Sequence, residues 1–140
     1  MALNLRGNKG SKLTITEMDN NLLYLESLTV PLYRIYAGFL TQSSTSAPTS
    51  VELENTLGCI ITFTRSEKGT YTINSNADIF NDTTGILFGN RTKYAAHIWV
   101  DTGNFSKQSV IFKTSLVSNH ELDDGLLTNT WLEIKVYPTK

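Results

Sequence analysis

Hydrophobic positions along this chain follow two different periods. Ile15, Met18, Leu22, Leu25 and Thr29 fall at steps of 3 and 4, which places them on one face of a helix. Thr14 and Thr16 each precede an acid by three residues, Glu17 and Asp19. That spacing lets a threonine hydroxyl accept from a first-turn amide while the acid sits at the positive end of the helix. Pro31 predicts the end of the helical stretch, because it removes a donor and crowds the preceding turn.

Beyond Pro31 the period becomes two. Tyr33, Ile35, Ala37 and Phe39 alternate with Arg34, Tyr36, Gly38 and Leu40, predicting a long first strand. A loop rich in Ser, Thr and Pro follows. Further strands are predicted at 50–55, 57–65, 70–74, 85–88, 93–101, 109–116 and 131–137. The third and fourth read as a hairpin through Glu67, Lys68 and Gly69, with Tyr71 and Ile73 on one side and Thr70 and Thr72 on the other. In the sixth, Tyr94, Ala96, Ile98 and Val100 alternate with Ala95, His97 and Trp99. In the last, Leu132, Ile134 and Val136 should point inward and Trp131, Glu133, Lys135 and Tyr137 outward. Turns are predicted at 101–104 and 123–125, and 75–83 reads as a loop with a short apolar insertion.

About eight strands joined by polar turns, with no βα alternation, predict an all-β fold. The expected architecture is an antiparallel, jelly-roll-like β-sandwich preceded by a short N-terminal α-helix. The boundary falls between residues 1–30, an arm and helix, and residues 31–140, the sandwich. The helix face has two readings. It packs on its own sandwich, or Met18, Leu22 and Leu25 form a short seam between identical subunits, since the steps match coiled-coil spacing. So short a helix, weakened by Asn20 and Asn21, does not hold an oligomer alone.

Composition narrows the chemistry. The chain has 140 residues, a net charge of -1 and interspersed signs, so no basic footprint for nucleic acid is expected. No apolar run approaches membrane-spanning length, and the opening residues lack a signal-peptide core, so assembly in a cytoplasm is expected. A single cysteine, Cys59, cannot form an intrachain disulfide; in its apolar run it reads as a small buried hydrophobe. His97 reads as structural and His120 as a loop residue, and neither has a partner at metal-ligand spacing. Asp78, Asn81 and Asp82 read as Asx-rich turns rather than a calcium site. Asp123 and Asp124 before Gly125 read as a solvated turn. Glu52 and Glu54 are expected to share one strand face. No phosphate loop or nucleophile elbow is present. The expectation is therefore no enzyme, no metal and no cofactor. Trp99, Trp131 and Tyr137 face outward, either stacking on sugars or packing in the second sheet.

Lys9, Gly10, Ser11, Leu13, Thr14, Glu17, Asp19, Asn21 and Leu22 together resemble a short element near the N-termini of many phage tail-fibre and other virion appendage proteins. Lys12 stands where that element usually has a proline. Residues 40–43, Ala47, Pro48, residues 53–58, Gly69, Tyr71, Ile73 and residues 124–134 resemble a β-domain common in phages of Bacteroidetes-type hosts. The resemblance implies a virion structural protein: a head fibre, decoration protein or tail-associated part. Capsid, portal or tail proteins would be its partners, and a homo-oligomer, with a trimer favoured, its state. Docking would use a basic arm that orders on binding, with Arg6, Lys9, Lys12, Leu13 and Ile15 at the attachment. The alternative is a carbohydrate- or receptor-binding module that takes a host-surface glycan through Trp99, Trp131 or Tyr137.

Overall fold

A computed structural model describes residues 10–28, 32–89 and 95–139. The chain divides into two compact units, Met1–Leu32 and Tyr33–Lys140. Arg6, Lys9, Thr29, Pro31 and Tyr94, for which the sequence carries expectations, lie outside the described residues.

The first unit contains helix α1 (Ile15–Leu28). Of the two threonine–acid pairs, Thr14 and Glu17 form the cap. The Glu17 amide donates to the Thr14 hydroxyl at 3.2 Å, and the Thr14 amide donates back to the Glu17 carboxylate at 2.7 Å. Two amides that the helix leaves without partners are thereby satisfied.

The second unit is an antiparallel β-sandwich of eight strands, as the alternation predicts. They are β1 (Arg34–Thr41), β2 (Thr49–Asn55), β3 (Ile61–Glu67), β4 (Thr70–Ser75), β5 (Thr84–Phe88), β6 (Ala96–Phe105), β7 (Ser109–Leu116) and β8 (Thr130–Val136). One sheet runs β2-β1-β8-β5 and the other β3-β4-β7-β6. The first strand therefore pairs with the last, Phe39 opposite Trp131 and Tyr36 opposite Ile134.

Period-two alternation builds the core. Leu132, Ile134 and Val136 of β8, Tyr36 and Leu40 of β1, Tyr71 and Ile73 of β4, and Val110 and Phe112 of β7 are all buried in one cluster. Burying each such side chain stabilises the fold by about 1.5–3 kcal/mol relative to leaving it exposed. Ile79 and Phe80, the apolar insertion in the loop after β4, also enter this cluster.

Four local predictions differ from the structure. The third strand begins at Ile61 rather than residue 57. Asn55 explains this: its side chain accepts from the Leu57 amide and donates to the Cys59 carbonyl, an Asx turn that curls the chain before the strand starts. Leu57 is buried from that turn, whereas Cys59 is half-buried rather than buried. The turn predicted at 101–104 is instead a bulge inside β6, where pairing jumps from Asp101–Ile111 to Phe105–Val110. The reversal comes at residues 106–108, where the Ser106 hydroxyl accepts from the Ser109 and Gln108 amides. A second bulge sets Glu52 opposite Gly38 and Glu54 opposite Ala37. Consecutive β1 residues face opposite ways, so the two glutamates do not share a face. They do charge an exposed edge strand, which opposes pairing with other chains.

The largest correction concerns Asp124. It is not a solvated turn residue: its side chain is 11% exposed. Its carboxylate receives the Arg65 guanidinium in a forked pair, at 2.7 Å and 3.1 Å, the Gly69 amide at 3.1 Å and the Tyr71 hydroxyl at 2.8 Å. The buried Gln42 extends this cluster, accepting from the Gly125 amide and donating to the Ser46 carbonyl. Gly69, at φ 63°, is required here. A Cβ would lie 2.6 Å from both the Asp123 nitrogen and the Thr114 oxygen. Burial works against the Asp124 charge, but the bonds from Arg65, Gly69 and Tyr71 outweigh it and hold the carboxyl below its ordinary range. Burial first, and the bond to Asp124 second, push the Tyr71 hydroxyl up.

Asp124→Asn should therefore destabilise the sandwich by about 3 kcal/mol at neutral pH, because the Arg65 charge loses its partner. A depressed carboxyl stabilises above its unfolded pKa of about 4, and that contribution is lost as pH falls through the folded value. The gap between wild type and Asp124→Asn in urea melts should thus close on acidification. Tyr71, raised, has the opposite sign: its contribution is complete below about pH 10 and fades as pH rises further. A gap that stays constant down to strong acid would contradict this account of Asp124.

Candidate functional site

The helix carries the docking residues read from the sequence. Ile15 is 74% exposed and Leu22 64%, and Met18 and Leu25 are exposed as well. Their 3-and-4 spacing sets them along one stripe of α1. Leu23 and Leu28 widen the exposed apolar surface. Lys12 is exposed and Leu13 half-buried. No side chain of α1 is buried, so the cap and local bonds, such as Ser27 to the Tyr24 carbonyl at 2.6 Å, hold a helix whose apolar stripe is exposed. None of the helices among the described residues is long and apolar enough to cross a membrane.

The three outward aromatics do not form one site. Trp131 and Tyr137 belong to the outer face of the β2-β1-β8-β5 sheet, and Trp99 to the outer face of the other. None of the three belongs to the buried inter-sheet cluster. On the first face, Val51, Phe39 and Trp131 line up across three strands. Phe39 and Trp131 meet edge to face with centroids 5.4 Å apart. Tyr33 and Tyr137 follow at 5.5 Å, with the Lys135 ammonium 4.7 Å above the Tyr33 ring and 2.8 Å from Glu133. Gly89 makes room for Trp131, since a Cβ there would come within 2.8 Å of the Trp131 Cβ. This face is therefore an aromatic and aliphatic surface edged by one ion pair.

The opposite face is more polar. Trp99 stands across from Lys113, which pairs with Asp101 at 2.8 Å. The bond from Lys113, then that from the Gly103 amide, holds the Asp101 carboxyl below its ordinary range. His97 stacks on His120 with centroids 5.5 Å apart and ring planes 21° from parallel. Sequence reading treats the two histidines separately, because only the curl of residues 116–121, with His120 at φ 58°, brings them together. Among the described residues, no group of three or more His, Cys, Asp or Glu is placed to hold a metal ion.

Two surface cavities are formed by described residues. One, of about 320 Å³, is lined by Asn55, Gly58, Cys59, Ile60 and Asn76. The other, of about 390 Å³, is lined by Phe80, Asn81, Asp82, Phe105, Ser106 and Lys107. Sequence reading foresaw neither; the walls of the second come from a loop and a reversal about 25 residues apart. The only advance signal was the Asx cluster around Asn81.

Compared with known proteins, the chain matches no family model, no curated protein and no solved structure.

The cap makes a direct prediction. Thr14→Ala should cost the helix about 1 kcal/mol. In the full chain, amide hydrogen exchange across Glu17 and Met18 should quicken about fivefold while exchange in the sandwich stays unchanged. Equal exchange in both proteins would show that the cap does not support α1.

Proposed function

We propose that this chain is a non-enzymatic structural protein of a bacteriophage particle. Its N-terminal segment docks onto the assembly, and the sandwich is displayed from it. The observation that carries this reading is the capped helix with Ile15, Met18, Leu22 and Leu25 exposed along one stripe. Exposed large apolar side chains concentrated on one element mark a contact surface, and helix-in-groove docking reads such a stripe. The resemblance of residues 9–22 to virion attachment elements points the same way.

In this reading the basic arm and Lys12 contact the capsid, portal or tail component, and Leu13 and Ile15 extend that contact. Met18, Leu22 and Leu25 meet the same residues of neighbouring copies, in a trimer. The buried core of the sandwich is drawn from its two sheets and the loops that join them, all within the second unit. That division leaves the helix free to be specified by the assembly rather than by the domain behind it.

The test uses the double substitution Leu22→Glu and Leu25→Glu in the full chain. Both positions are exposed, so the unfolding free energy of the sandwich from urea melts should stay within about 0.5 kcal/mol of wild type. Native mass spectrometry should show the wild-type oligomer replaced by monomer, and particles assembled with the variant should lack the chain. Wild-type incorporation of the variant would refute helix-mediated docking.

A further inference from the structure

We propose that the cleft between residues 80–82 and 105–107 is a binding site for a single sugar ring. This inference does not depend on the docking reading. A chain that fails to enter particles could still bind sugar here, and the reverse also holds.

The cleft has a pinned aromatic wall. Phe105 is 43% exposed and meets the buried Phe80 edge to face at 6.1 Å. Phe80 belongs to the core, so the exposed ring is backed by packed structure. Such a ring offers a flat apolar platform to the C–H face of a pyranose.

Three polar side chains around it, Asn81, Asp82 and Lys107, keep hydrogen-bonding capacity. Asp82 and Lys107 carry opposite charges and line the same cleft. Among the described residues, neither forms an ion pair with the other or with any third group. Asn81 uses its Oδ1 to accept from the Thr83 amide and hydroxyl, and among the described residues its Nδ2 has no acceptor. A carboxylate that accepts, with an amide and an ammonium that donate, is the set that vicinal hydroxyls answer, because each hydroxyl gives one hydrogen and accepts others. The other cavity lacks this set: no charged side chain lines it, and Asn55 spends both side-chain polar atoms on the backbone at Leu57 and Cys59.

The walls are also held in place. The Lys107 carbonyl accepts from both the Ile79 and Phe80 amides at 3.0 Å. Gln108 donates to Asp78 at 2.8 Å, and Ser106 closes its reversal on Ser109. The site is therefore preformed, as small-molecule sites usually are, and its volume lies at the lower end of their range. One face of one ring fits that volume, and binding in the millimolar range follows from so small a contact.

The experiment is a ¹⁵N NMR titration of the full chain with the methyl glycosides of glucose, galactose, mannose and N-acetylglucosamine, and with glucuronic acid. At least one should produce saturable shifts confined to residues 79–83 and 105–108. Asp82→Asn, at an exposed position without a partner, leaves the fold intact and should weaken that binding about tenfold, as loss of a charged hydrogen bond does. Phe105→Ala should abolish it and Phe105→Tyr should retain it. Absence of saturable shifts with all five probes overturns the proposal. So do shifts that centre elsewhere, or binding that Asp82→Asn leaves unchanged.

Discussion

The Asp124 carboxylate is the point on which the two sheets of the sandwich depend. It lies between β7 and β8, where the chain passes from one sheet to the other. Arg65 and Gly69 reach it from the β3–β4 hairpin, and Tyr71 from inside β4. Gln42, just past β1, joins through the Gly125 amide. One partly buried charge thus fastens the turn of one sheet to the strand ends of the other. Apolar burial supplies most of the driving force, but it is not directional. The forked arginine pair and the two further donors give this end of the sandwich a particular geometry.

The same end shows why neighbouring acids behave differently. Asp123 pairs with Lys68 at 3.0 Å in a more exposed setting, where an ion pair contributes little. Asp124, one residue on, has three kinds of donor and little solvent. Only the second carries structural weight. The Thr114 hydroxyl adds to the clasp by donating to the Asp123 carbonyl at 2.6 Å, so even the backbone beside the pair is tied to β7.

Away from the clasp, the sandwich presents three unlike surfaces. One outer face gathers Val51, Phe39, Trp131, Tyr33 and Tyr137. The other holds Trp99 beside an ion pair and a stacked pair of histidines. The cleft at Phe105 lies where the loop after β4 meets the reversal between β6 and β7. Rigid strands carry the broad faces, and loops anchored by Ile79 and Phe80 carry the concave site. Helix α1 contributes a fourth surface of different character, an apolar stripe held by a local cap.

Much of this architecture was legible along the chain because it rests on local periodicity. Alternation at Leu132, Ile134 and Val136, and at Tyr71 and Ile73, announced strands and their buried side. Thr14 and Glu17 announced a helix start by spacing alone, and the Lys68–Gly69 turn was equally plain. Each of these depends on neighbours within a few residues, so the order of residues suffices to specify it. Tertiary structure decided the rest. Asp101 and Gly103 have the composition of a turn, yet pairing with β7 keeps them in a bulged strand. Asp124 and Gly125 have the same composition, yet Arg65, 59 residues away, turns them into a partly buried clasp. The pairing of His97 with His120 and the cleft between Phe80 and Phe105 likewise need distant segments to meet. Which polar group finds a partner, and which is left free for a ligand, is set by contacts across the fold, and no local pattern encodes those.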